Sequence, residues 1–325
     1  MTISHPSKVN SILASGVDSL VLSMIIEWHD TSIFTVLDEL KEKAKEHSLD
    51  YPGRLKHFNS EESWPFNIKP HGTKGFSWIM AGGGFTFKIA NTTEPNSRPN
   101  VMIEFRSEAL WRLGPEEAIK MALSLIEANG AYIVEAKLSR VDLCVDFLMP
   151  EEVWSQSLME YAVTRAVDYA PYYTHKKLTG LRIGKGVISA RLYDKPLEIK
   201  QQSRKYWMFD IWGLDDVPPG EKVIRIEFQL RREVLKQLGL RNAHDLFQKI
   251  DQAWAYCTRK WLKFQDRPGM HHNQRSTLKW YQEIQNGFKG VQDATPLVRD
   301  KAVRDDKKRL MQQANGFLFA LHAIK

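Results

Sequence analysis

The chain has 325 residues, of which 43% are hydrophobic and 26% charged, enough apolar material for one large core or two to three smaller ones. Lys and Arg total 46 against 39 Asp and Glu, a formal charge of +7 that favours a polyanionic partner over an acidic one. Two cysteines without Cys-x-x-Cys or Cys/His spacing exclude a disulfide framework and a zinc site, and the lack of a signal-peptide core or any long apolar run points to a cytoplasmic protein without membrane contact.

In chain order, the first expected element is a strand over residues 17–28, followed by a helix after Thr31 or Ser32 with Phe34, Leu37, Leu40 and Ala44 at helical spacing. Short strands flank the turn Gly82-Gly-Gly84. A strand carrying Ile103-Glu104-Phe105 follows, then a short helix closed by Gly114. A second series begins with a strand over 131–148 and a helix after Pro150 with Trp154, Leu158, Ala162 and Arg165 on one face. Strands around Gly184-Lys-Gly186 come next, then an inserted loop at Asp215 to Gly220. Last are a strand carrying Ile226-Glu227-Phe228 and a helix closed by Gly239. Asn242 is expected to cap one further helix with the stripe Leu246, Ile250, Trp254, Cys257 and Trp261.

The two series are one weak internal duplication. The Ile-Glu-Phe strands are offset by 123 residues, and Val17-Asp18-Ser-Leu-Val21 matches Val141-Asp142-Leu-Cys-Val145 at an offset of 124. Aligning Gly84 with Gly186 sets Asn91 against Tyr193 and leaves Leu22 against Asp146. The expected fold is α+β: two pseudo-repeated units with antiparallel sheets and helices on one face, followed by a helical C-terminal tail. The expected boundaries are 1–130 for a degenerate half that grips DNA or is structural, 131–264 for a catalytic half, and 265–325 for a basic tail.

Strand alternation gathers polar groups in the second half. Arg140, Asp142, Cys144 and Asp146 share one face of their strand, opposite Val141, Leu143, Val145 and Phe147. Arg225, Glu227 and Gln229 share a face, as do Ser189, Arg191, Tyr193 and Lys195. If these strands lie in one sheet, Asp142, Asp146 and Glu227 supply hard oxygen ligands for Mg²⁺ or Mn²⁺, and such a cation would polarise a phosphoryl oxygen. Tyr193 is then a candidate nucleophile, with Arg191 and Lys195 beside it to favour the phenolate and bind phosphate. An ordinary solvated sheet face, with Tyr193 reaching water, has the same alternation, and the residues alone leave both readings open.

These residues also carry a resemblance. The sequence resembles the replication initiation factors of rolling-circle plasmids and some filamentous phages, a family that includes relaxases of certain conjugative elements. Four segments carry it in order: Arg140-Val-Asp142-Leu-Cys-Val-Asp146, Thr179-Gly-Leu-Arg-Ile-Gly184, Arg191-Leu-Tyr193-Asp194-Lys195-Pro-Leu-Glu198 and Arg225-Ile-Glu227. The match runs over roughly residues 130 to 240 and more loosely from residue 17. It implies site-specific, metal-dependent nicking of one DNA strand: Tyr193 attacks a phosphodiester, leaving a 5′-phosphotyrosine and a free 3′-hydroxyl. Asp142, Asp146 and Glu227 would be the metal ligands and Glu198 a further candidate. The implied DNA is a replication or transfer origin, single-stranded or in a hairpin, with a host helicase and a homodimer as candidate partners. Pro196 departs from the family run and is expected to end the strand after Tyr193. Two rival readings are an origin-binding protein without catalysis that recruits replication machinery, and a metal-dependent nuclease that uses water.

DNA contacts are expected from Arg140 and Arg225, from Lys88 with Lys74 and Arg106 in the first half, and from Arg259, Lys260 and Lys263 near the C-terminus. The C-terminal cations are interleaved with Trp261, Phe264, Trp280 and Tyr281, which suit either base stacking or the core. The mixed charges of Arg299 to Arg309 suit a solvated helix face.

Overall fold

The computed structural model describes residues 12–56, 63–93, 98–266, 271, 275–288, 290 and 292–300. The first series forms β1 (Ile12–Trp28), α1 (Ser32–His47), β2 (Tyr51–Lys56), β3 (Ser63–Ile68), β4 (Trp78–Gly82), β5 (Phe85–Ile89), β6 (Val101–Phe105), α2 (Ser107–Leu113) and α3 (Pro115–Ala128). The second begins with β7 (Ala131–Pro150), β8 (Ala162–Thr164), β9 (Tyr169–Thr174), β10 (Lys177–Ile183) and β11 (Ile188–Asp194). It continues through α4 (Lys195–Glu198), α5 (Met208–Trp212), β12 (Glu221–Arg231), α6 (Arg232–Gln237), α7 (Ala243–Gln248) and α8 (Ile250–Tyr256), then β13 (Leu262–Phe264) and α9 (Lys279–Gln285).

The fold is α+β and antiparallel, and the expected two sheets are one. Eleven strands run in the order β2-β3-β4-β5-β6-β1-β7-β12-β11-β10-β9. The duplication is visible in that order, because β6, β5, β4 and β3 succeed β1 on one side as β12, β11, β10 and β9 succeed β7 on the other. The halves join where β1 pairs with β7 from Ile12↔Phe147 to Trp28↔Ala131. Their long alternating runs leave each an edge that its own half does not fill, and pairing those edges satisfies both backbones.

One face of the sheet is apolar throughout. Leu20, Leu22 and Met24 lie beside Phe105, Ile103 and Val101 in the first half; Leu143 and Val145 lie beside Phe228 and Ile226 in the second. Helices cover this face. Phe34 of α1 stacks on Trp78, Trp254 of α8 meets Phe228 edge-on, and Trp280 of α9 stacks on Phe147. The C-terminal aromatics Trp261, Phe264, Trp280 and Tyr281 therefore belong to the core.

Several expected elements differ. The helix after Pro150 does not form: Gln156–Tyr161 is a 3-10 turn, and Ala162–Thr164 pairs with β13. Trp154 and Leu158 are buried as that spacing demanded, but the Trp154 indole donates to the carbonyl of Leu178, and strand pairing takes over at Ala162. The helix from Asn242 is broken at Lys249 into α7 and α8, then ends in a π turn over Cys257–Trp261. Its start is as expected, since the Asn242 side chain accepts from the Asp245 amide and Asp245 accepts in return. Of the tail, α9 is helical and residues 292–300 are not; residues 301–325 lie outside the described set.

The pairing also resets the alignment of the halves. Thr86 pairs with Glu104 and Lys88 with Met102, as Arg191 pairs with Glu227 and Tyr193 with Arg225. Lys88, not Asn91, therefore occupies the position of Tyr193. The hairpin glycines misled because two residues separate Gly82 from Phe85, whereas six separate Ile183 from Ala190. On β1 the counterparts of Asp142 and Asp146 are Ser19 and Ser23, since Ser23 pairs with Met102 and Asp146 with Arg225. Asp18 is the extra residue of a bulge between Val17 and Ser19.

Candidate active site

The face opposite the helices carries the expected polar rows in the second half. One row runs Tyr172, Gly180, Tyr193, Arg225, Asp146 across β9, β10, β11, β12 and β7; the next runs Arg182, Arg191, Glu227, Cys144. Period-two alternation places them there, because Leu181, Leu192, Ile226 and Val145 point into the core. The connection from β11 to β12 folds back over these rows. Asp194 ends the strand and caps α4 by accepting from the Leu197 amide, which makes Pro196 a first-turn residue rather than only a strand breaker. Ile199, Met208 and Trp212 of this cover close a small second core with Val223, Leu148 and Trp111.

Beneath the cover, Tyr193 donates to Glu227 Oε2 at 3.0 Å, and Arg191 is paired with the other oxygen of Glu227. The Lys195 ammonium lies 5.6 Å from the centre of the Tyr193 ring and donates to Glu198 Oε2 at 2.5 Å. Asp142 is paired with Arg140. Burial and then the charge of Glu227 hold the Tyr193 phenol well above its ordinary pKa; Arg225 and Arg191 oppose this without overcoming it. Asp142 is raised to about 6 by burial and by the charge of Glu227, against the hydrogen bond from Arg140. The Arg191 guanidinium is held more firmly protonated: Glu227 outweighs the effect of its burial.

The expected set of three metal ligands is not assembled. Asp146 is 0% exposed, and both of its oxygens are engaged: Arg225 Nε donates to Oδ1 at 2.6 Å, while Arg225 Nη2 and the Trp212 indole donate to Oδ2 at 2.7 and 2.8 Å. A carboxylate so paired is part of a buried ion cluster and is closed to a cation. Among the described residues no three His, Cys, Asp or Glu side chains are placed to share a metal ion. Both oxygens of Asp142 are likewise engaged by Arg140, and those of Glu227 by Arg191 and Tyr193. These two arginines, unlike Arg225, are part-exposed, so a divalent cation that displaced them would also relieve the charge by which Glu227 raises the Asp142 pKa.

Arg225 is likewise corrected as a DNA contact. It is fully enclosed, and its Nη1 donates at 2.6 Å to Asp18 Oδ1, which also accepts from the Trp111 indole at 3.1 Å. Asp18 is therefore the first half's contribution beside this site, tied to Asp146 through one guanidinium. Burial alone would raise the Asp18 pKa, but Arg225, Lys205 and Lys195 together lower it to about 2.

Of the other expected residues, Arg191 is part-exposed and lines the cleft over Tyr193, Arg140 is part-exposed and paired with Asp142, and Lys88 is paired with Glu104 in the first half. Arg259 donates to the Ala294 carbonyl and the Asn286 side chain. With Lys260 and Lys263 it belongs to the segment around Trp261, which packs on Phe228 and so lies on the helical side of the sheet, away from Tyr193.

The cleft over Tyr193 has a volume of about 450 Å³, and its lining includes Asp18, Tyr172, Lys195, Gln201, Gln202 and Lys205. Lys205 and Trp212 carry no signal in the sequence, for they sit in the cover where no period marks them. For Asp18 the signal in the sequence is its match to Asp142 in the repeat. No helix among the described residues is long and apolar enough to cross a membrane. No family model and no curated protein matches this chain. Among solved structures, a rolling circle replication initiator protein from Geobacillus stearothermophilus is similar with a TM-score of 0.47 and 14% identity, over 88% of this chain and 98% of that one.

Proposed function

We propose that this protein nicks one strand of DNA at a specific site by transesterification at Tyr193, initiating rolling-circle replication or conjugative transfer. The observation that carries the reading is the hydrogen bond from the Tyr193 hydroxyl to Glu227 on the floor of a cleft flanked by Arg191 and Lys195. Residues from three of the four segments that carry the sequence resemblance line that same cleft. The Tyr193 oxygen forms a bond to phosphorus and the bond from phosphorus to the 3′-oxygen breaks. The phenolic proton passes to Glu227, and the 3′-oxygen leaves and takes up a proton from water. A phenol held above its ordinary pKa is a poor nucleophile on its own, so proton acceptance by Glu227 and the positive charge of Arg191 are both required.

Mg²⁺ or Mn²⁺ belongs to the proposal, with Asp142 and Glu227 as the residues that would hold it and stabilisation of phosphoryl charge as the chemistry it would supply. Arg182, opposite Arg191 on the next strand and with no partner for its Nε among the described residues, adds cationic charge for the DNA backbone. A host helicase and self-association are expectations carried by the sequence resemblance.

The test is incubation with single-stranded origin DNA and Mn²⁺, followed by denaturing electrophoresis and mass spectrometry. An adduct mapping to Tyr193, absent in Tyr193→Phe, is the expected result. Cutting without an adduct would make water the nucleophile. The commitment of Tyr193 to Glu227 favours one other reading, a DNA-binding protein without catalysis, and binding without cutting in the presence of verified metal would select it.

A further inference from the structure

The wall of the cleft facing Tyr193 is a tyrosine that the chemistry above does not use. Tyr172 lies on β9, the edge strand of the sheet, and is 48% exposed. It shares a row with Tyr193, with Gly180 between them on β10. A β-carbon on Gly180 would stand 3.3 Å from Tyr193 Cβ and 3.6 Å from Tyr172 Cδ2, so any larger side chain there would fill the space between the rings. An exposed aromatic ring beside an open floor is a surface on which a flat apolar group can lie.

The opposite wall supplies charge. Lys205 follows Arg204, whose left-handed conformation (φ of 57°) ends the π-helical turn Ile199–Ser203. Lys205 lines the cleft, and its ammonium makes no hydrogen bond or ion pair among the described residues. Its burial, with Lys195 and Arg225 nearby, lowers its pKa, an unfavourable state that an anion in the cleft would relieve. Thr174, Thr179, Gln201 and Gln202 stand around the rim with both donors and acceptors.

We infer that the cleft beside Tyr193 binds one unpaired nucleotide, its base against the Tyr172 ring and a phosphate at the Lys205 ammonium. The inference rests on the DNA-nicking reading and deepens it, because a base can meet Tyr172 only outside a duplex. The cleft then selects single-stranded DNA and fixes the strand beside the phosphate that Tyr193 attacks.

The probe is an oligo(dT) of about 12 residues carrying one 2-aminopurine, long enough to cross a site of this kind. Binding is followed by 2-aminopurine fluorescence and by anisotropy across a salt series. The wild type and Tyr172→Trp are expected to quench the probe. Tyr172→Ala should lose the quenching and bind roughly 5- to 150-fold more weakly, the loss of one base–aromatic stack. Lys205→Ala should reduce the slope of log affinity against log salt by about 0.7, one phosphate contact. Tyr172 is exposed on an edge strand, so its replacement leaves the core intact.

Equal affinity and equal quenching in Tyr172→Ala and the wild type would overturn the inference, as would equal wild-type affinity for the oligonucleotide and its duplex. Formation of the Tyr193 adduct on origin DNA is scored separately. Lost quenching in Tyr172→Ala with no adduct in the wild type supports the nucleotide site and removes the nicking chemistry. An adduct with no role for Tyr172 keeps the chemistry and removes the site.

Discussion

The two halves of the sheet present the same glutamate in different settings. Glu104 and Glu227 occupy equivalent positions, each beside the strand that carries Lys88 or Tyr193. The Glu104 side chain is 40% exposed and, among the described residues, paired with Lys88 alone, whereas that of Glu227 is 2% exposed and serves both Arg191 and Tyr193. The strands differ in the side chains beside the glutamate, and the connections differ as well. Residues 90–100 link β5 to β6 in the first half, while residues 195–220 link β11 to β12 and fold back as the cover holding Lys195, Lys205 and Trp212. A solvated sheet face becomes a site when a longer connection removes its water and raises the strength of every charge beneath it.

The comparison is broken most directly by exchanging the glutamates one at a time for glutamine. Glu227→Gln removes the proton acceptor for Tyr193, and a loss of adduct-forming rate on the order of 10²- to 10⁴-fold is expected. Glu104→Gln should change that rate by less than about twofold, within the effect of surface substitutions. Single-turnover assays on the origin oligonucleotide measure both, and similar losses in the two variants would mean that the halves act as one site.

The buried ions give the next largest contrast. Arg225→Met leaves Asp146 and Asp18 without their guanidinium, and a buried pair broken from one side costs roughly 3–5 kcal/mol. Lys88→Met breaks a half-exposed pair, for which about 0–1 kcal/mol is expected. Urea unfolding of both proteins decides it, and a small loss in Arg225→Met would mean that the cluster is open to water. This cluster also carries a pH signature. The Asp18 pKa falls from an ordinary 3.8 to about 2 on folding, so its stabilisation is complete above pH ~4 and is lost as pH falls toward 2. The difference corresponds to about 2 kcal/mol, and Asp18→Asn should flatten the stability profile over that window.

How far the sequence disclosed this follows from what alternation can see. It placed Asp142, Glu227, Arg191 and Tyr193 on one face, because period two decides facing without knowledge of the partner strand. It placed Asp146 and Arg225 on that face as well, but whether two side chains on adjacent strands pair with each other depends on register, which the pattern leaves free. Register also decided the counterparts of the repeat: the wide β10–β11 turn made glycine alignment choose Asn91 over Lys88. Pro150 with Trp154 and Leu158 mimicked a helix because two buried positions four apart fit a 3-10 turn entering a strand equally well. The cover was invisible as a site, since Met208, Trp212 and Lys205 gain their roles from a fold-back that no local period encodes.

The smallest expected effect asks whether the first half meets DNA at all. Lys88 is the counterpart of Tyr193, yet its ammonium is paired with Glu104, so a phosphate must compete with a carboxylate already in contact. Lys88→Ala should then lower the salt slope of single-strand binding by less than the roughly 0.7 of an unpaired cation. Glu104→Ala, by freeing the ammonium, should raise it. A full-sized drop in Lys88→Ala would mean that DNA displaces Glu104 and lies across both halves. No change in either variant would confine the strand to the covered half, leaving the first half to hold β1, and with it Asp18, against the site.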